Sequence, residues 1–69
     1  MAVRIQVLPG HVLKMPCGTE VHIFNVETGR YKSMWIVKKG NRKVLSDENG
    51  MTIEIVERES CHYEIDIDN

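Results

Sequence analysis

Short runs of hydrophobic, largely β-branched and aromatic residues alternate with turn chemistry along this chain. "VRIQV" places Val3, Ile5 and Val7 on one face and Arg4 and Gln6 on the other, the pattern of a half-buried strand. Further runs rich in β-branched and aromatic residues follow in EVHIFNV, YKSMWIVK, RKVLS, MTIEIVE and CHYEIDI. Turn chemistry separates the runs: LPGH, PCGT, Thr28-Gly29, Gly40-Asn41, Asn49-Gly50 and a corner at Arg58-Glu59-Ser60. HVLKM reads as a further short strand, and no stretch sustains a helical period. The pattern predicts one all-β domain over residues 1–69. Its expected form is a small antiparallel meander of six or seven short strands, curled into a barrel or a two-layer sheet.

Turn length fixes register, and register fixes which residues meet. A two-residue loop at Thr28-Gly29 pairs Glu27 with Arg30, Ile23 with Met34 and Val21 with Ile36. Gly40-Asn41, a strong signal for a two-residue turn, pairs Lys39 with Arg42, Lys38 with Lys43 and Ile36 with Leu45. A three-residue corner at 58–60 pairs Ile55 with Tyr63, Ile53 with Ile65 and Met51 with Ile67. The expected core is therefore Val21, Ile23, Met34, Ile36, Leu45, Ile53, Ile55 and Ile65. The other face of the central hairpins is apolar as well, with Phe24, Val26, Tyr31, Trp35, Val37 and Val44, and His22 beside Trp35. A sheet apolar on both faces has to cover both, which points to a homodimer through that second face.

With 69 residues the chain is near the lower limit for a self-sufficient core. Two cysteines, Cys17 and Cys61, do not make a disulfide scaffold. Residues 1–20 hold no apolar run suited to a signal peptide or membrane span, so a cytoplasmic location with reduced thiols is the expectation. The net charge of −1 hides an uneven distribution. Residues 1–46 carry eight Lys/Arg and two acids, a net of +6, while residues 47–69 carry one Arg and eight acids, a net of −7. Such asymmetry points to an interaction surface.

The cations concentrate in MWIVKKGNRKVLSD. The Gly40-Asn41 turn sets Lys39 opposite Arg42 and Lys38 opposite Lys43, and like charges facing each other across strands are destabilising. An anionic partner would offset that cost. Small β domains bind single-stranded nucleic acid by stacking bases on aromatics with cations alongside for phosphates. Arg30, Tyr31, Lys32, Trp35, Lys38, Lys39, Arg42 and Lys43 are the candidate binding residues. The competing account of Trp35, the only tryptophan, is a core residue, and that of the tip is a charged edge that resists aggregation.

The acidic end is a second candidate surface. Glu64, Asp66 and Asp68 recur at every second position of the last strand, and the expected register sets Glu54 opposite Glu64. This row could mimic nucleic acid or receive a basic patch, against the plainer account of a solvated strand. Cys17, His22, Cys61 and His62 would fill a zinc shell in number, but residues 61 and 62 point to opposite faces of a strand, so no metal or other cofactor is expected. No glycine-rich phosphate loop, nucleophile elbow or H-E-x-x-H is present, and no enzymatic activity is expected.

Residues 3–38, a strand, a turn at Gly10, a short strand and then EVHIFNVETGRYKSMWIV as a hairpin, resemble the carbon-storage-regulator family of RNA-binding translational repressors. The resemblance implies an interlocked β dimer. It departs where that family has Gly-Glu after the first strand, since this chain has Gly10-His11, and the last twenty residues have no counterpart. No functional residue is carried across. The sequence thus points to a regulatory module that binds RNA or single-stranded DNA through the basic hairpin at residues 30–43. The alternative is a protein-binding regulator or inhibitor of phage or mobile-element type, acting through the basic tip or the acidic strand.

Overall fold

A computed structural model describes residues 2–68. The chain runs β1 (Ala2–Val7), α1 (Pro9–Val12), β2 (Glu20–Asn25), β3 (Arg30–Lys39), β4 (Arg42–Ser46), β5 (Thr52–Glu54) and β6 (Cys61–Asp68). The six strands form one antiparallel sheet in the order β1-β6-β2-β3-β4-β5. The all-β expectation holds, but the sheet does not close into a barrel, since β1 and β5 remain its two edges.

The meander holds from β2 to β5 and then breaks. β6 does not return beside β5; it inserts between β1 and β2, pairing Ile65 with Ile5 and Tyr63 with both Val7 and Ile23. The expected pairs Ile55–Tyr63, Ile53–Ile65 and Met51–Ile67 are therefore absent, and Ile53 faces Leu45 instead. The alternation of β6 explains why this site suits it. Its Tyr63 and Ile65 meet β1's apolar residues on one face, and its acids meet basic and polar partners on the other. Four strand positions, about 19 Å, separate β5 from β6, and the seven Cα steps from Glu54 to Cys61 reach at most about 25 Å. The connection crosses the core face, where Ile55 is buried and the Tyr63 hydroxyl donates to Val56 O at 2.9 Å.

The β3–β4 hairpin has the expected register, with Lys39 opposite Arg42 and Ile36 opposite Leu45. The β2–β3 hairpin is two residues out of the expected register: Val21 faces Met34 and Asn25 faces Arg30. Its loop is Val26–Gly29, because the Asn25 side chain accepts hydrogen bonds from the Glu27 and Thr28 amides and Gly29 (φ 69°) supplies the left-handed position. A shift of two keeps every side chain on its expected face. HVLKM is not a strand. Pro9, at the first helical position, opens the single turn α1, and Val12 and Met15 then cover the sheet.

The core lies on that side: Val7, Val12, Met15, Val21, Met34, Ile36, Leu45, Ile55, Tyr63 and Ile65. Ile23 and Ile53 pack against it while partly exposed. Among the described residues, no helix is long and apolar enough to cross a membrane.

Candidate binding face

Alternation along β3 sends its residues to two sides. Tyr31, Ser33, Trp35, Val37 and Lys39 lie on the face away from the core, joined across β4 by Val44 and Arg42. Arg30, Lys32 and Lys38 lie on the core side, with Lys43 opposite Lys38. The eight residues proposed from sequence thus split into two sets of four. The outer set is Tyr31, Trp35, Lys39 and Arg42.

Trp35 is not core. It is half-buried on the outer face, opposite Glu20 and Ser46, and His22 faces Ser33 rather than Trp35. Tyr31 is 50% exposed. Its ring packs on Phe24 at a centroid distance of 4.8 Å, Phe24 packs on His62 at 5.0 Å, and the Arg4 guanidinium stands 5.2 Å above Tyr31. Beside Trp35, a shallow depression of about 320 Å³ is lined by Tyr31, Lys32, Ser33, Trp35 and the loop residues Asp47, Glu48 and Asn49. Asp47 shapes this loop, since its Oδ1 accepts from the Asn49 and Met51 amides at 2.9 Å each.

Two of the four tip cations have intramolecular partners. Lys43 donates to the Met15 carbonyl just after α1, and Arg42 pairs with Glu54 at 2.6 Å. Lys32, nearer the start of β3, pairs with Asp47 at 3.4 Å. Among the described residues, Arg30, Lys38 and Lys39 have no ion-pair partner. The cross-strand repulsion at the tip is therefore relieved in part within the molecule.

The acidic row on β6 is also engaged. Glu64 and Asp66 do not meet Glu54, which lies opposite Val44; Glu64 sits between Gln6 and His22, and Asp66 faces Arg4. Arg4 Nε donates to Asp66 Oδ1 at 2.9 Å, and His22 Nε2 lies 3.1 Å from Asp66 Oδ2. Because a carboxylate only accepts, neutral His22 carries its proton on Nε2, and Nδ1 accepts from the Ser33 hydroxyl at 3.1 Å. Glu64 Oε2 accepts from Tyr31 at 3.2 Å and lies 2.6 Å from His62 Nε2. Asp68, at the end of the row, faces Ala2.

Ser33, His22 and Asp66 have the connectivity of nucleophile, base and orienting carboxylate. Arg4 takes the other carboxylate oxygen of Asp66, and the line ties together β1, β6, β2 and β3. The Arg4 hydrogen bond holds the Asp66 carboxyl below its usual range against the opposing effect of desolvation, with His22 adding to it. Desolvation, then the bond to Glu64, raises the Tyr31 hydroxyl, which stays protonated at neutral pH.

Sequence reasoning missed Arg4, His62 and the 47–49 loop as members of this face. The placement of β6 beside β1 and β2 brings the first two in, and that pairing leaves no local signal. Cys17 and Cys61 are free thiols, and no metal-holding group of three or more His, Cys, Asp or Glu occurs among the described residues. No protein-family model matches the sequence, and no curated protein or solved structure is found similar to it.

Proposed function

We propose that this chain is a small non-enzymatic regulatory module that binds RNA or single-stranded DNA on the outer face of its sheet, as a homodimer acting in the cytoplasm. The observation that carries this reading is Trp35. The chain's one tryptophan sits half-buried on the open face in line with Tyr31 and Lys39, when a chain this short gains most by burying it. Tyr31 and Trp35 are four residues apart on one strand, about 13 Å, and Lys39 stands a further 13 Å along. Bases would stack on Trp35 and, with Arg4 displaced from its ring, on Tyr31, with Lys39 close to phosphates and Arg42 and Arg4 reaching them on release from Glu54 and Asp66. Asn49 and Ser33 beside Trp35 offer hydrogen-bonding groups to a base edge.

The test is fluorescence anisotropy with labelled RNA and DNA oligomers over a range of salt. Tyr31→Ala is expected to weaken binding by about 1–3 kcal/mol, and Lys39→Thr to lower the salt slope by about 0.7. Unchanged affinity in both variants would remove the platform. A protein partner is the second reading, favoured by the internal engagement of Arg42 and Lys43 and by the mixture of charges on this face, which suits protein recognition.

A further inference from the structure

The two edges of the sheet differ. β5 has three residues, Thr52–Glu54, and ends on a carboxylate, which is how native sheets protect an edge. β1 has six residues, a single charge at Arg4, and, among the described residues, no strand paired along its outer side. Its core-side residues Val3 and Ile5, with Ile67 next to Val3 on β6, are 40%, 37% and 37% exposed, whereas Val7, at the end of the strand that leads into α1, is buried. Leu8, between β1 and α1, is 71% exposed and lines a groove with Ile5 and Lys14. A long unprotected edge beside an exposed apolar strip invites another strand.

We infer that β1 pairs antiparallel with β1 of a second copy, about a two-fold axis through Ile5 and perpendicular to the sheet. Charge excludes one register. Centred on Arg4, the pairing would oppose two guanidinium groups; centred on Ile5, it sets Arg4 against the partner copy's Gln6, Val3 against its Val7, and Ile5 against itself. Both apolar faces then lie on one side. The same operation brings the other copy's Val7 end, from which its α1 follows, beside Val3 and Ile67, which stay exposed in their own chain. Each copy completes the other's layer, and the sheet becomes twelve strands long. This interface is not the outer face first suggested by the two-sided hairpins, so Tyr31 and Trp35 stay open. It is the interface of the homodimer proposed above and rests on that part of the reading, not on nucleic-acid binding.

Sedimentation at 10–500 µM tests it. The wild-type chain is expected to dimerise, and Ile5→Lys or Val3→Lys to abolish the dimer, while Met51→Lys, at a still more exposed apolar site elsewhere, leaves it intact. Circular dichroism shows whether the lysine variants remain folded. Should they unfold, Ile5→Cys in a Cys17→Ser, Cys61→Ser background replaces them. On mild oxidation it is expected to cross-link at least tenfold faster than Met51→Cys. A wild-type monomer at 500 µM overturns the inference. So does a dimer that survives both lysine variants, or an Ile5→Cys cross-linking rate no higher than that of Met51→Cys.

Discussion

Asp66 ties the outer face together, and its titration shows in stability. Its carboxyl is depressed in the folded chain, first by Arg4 and then by His22, so it binds a proton less readily than in the unfolded chain. The stability it contributes is complete above the unfolded Asp value of about 3.9 and is lost as pH falls through the lower folded value. Asp47 follows the same sign: burial pushes it up, but the Met51 and Asn49 amides and Lys32 prevail. Thermal midpoints of the wild type are therefore expected to hold from pH 6 to about 4 and drop below it, and Arg4→Gln with Asp66→Asn should flatten that drop. An equal drop in the double variant would show that other carboxylates govern acid unfolding. At the tip, Lys43→Met removes the donor to the Met15 carbonyl and is expected to cost about 1 kcal/mol. Lys38→Thr removes a like-charge pair and should be neutral or gain a few tenths of a kcal/mol. Denaturant midpoints separate the two.

The elements that turn chemistry specifies locally are those the sequence made legible. Gly40-Asn41 sets the β3–β4 register outright. Thr28-Gly29 located the β2–β3 turn but not its length, because the Asn25 side chain stabilises a four-residue loop that a dipeptide signal does not reveal. HVLKM reads as a short apolar run between turns, and the Pro9 start and the burial of Val12 and Met15 in the core make it a helical turn. The shared consequence is a core centred on Ile36, fully buried between Met34 and Leu45 on neighbouring positions. Ile36→Ala is expected to cost about 2–5 kcal/mol, enough to unfold a marginal small domain. A chemical-denaturation curve shifted by less than 1 kcal/mol would place the core elsewhere.

At the scale of the whole molecule, the position of β6 decides the character of the site, and it was the part the sequence concealed. Its alternation of apolar and acidic residues fits beside β5 as well as between β1 and β2, and only the long-range choice brings Arg4, His22 and His62 to the face that holds Tyr31 and Trp35. The sides on which the β3 residues fall were legible; the internal partners of Arg42, Lys43, Glu64 and Asp66 were not. What stays exposed is an aromatic platform with Lys39 at one end and Arg4 at the other. Because Trp35 is the only tryptophan, its intrinsic fluorescence reports on that platform without a label. Titration with short RNA and DNA oligomers at 50–200 mM salt is expected to quench it saturably, with affinity falling as salt rises. Fluorescence that stays constant at every oligomer concentration in 50 mM salt would contradict the account.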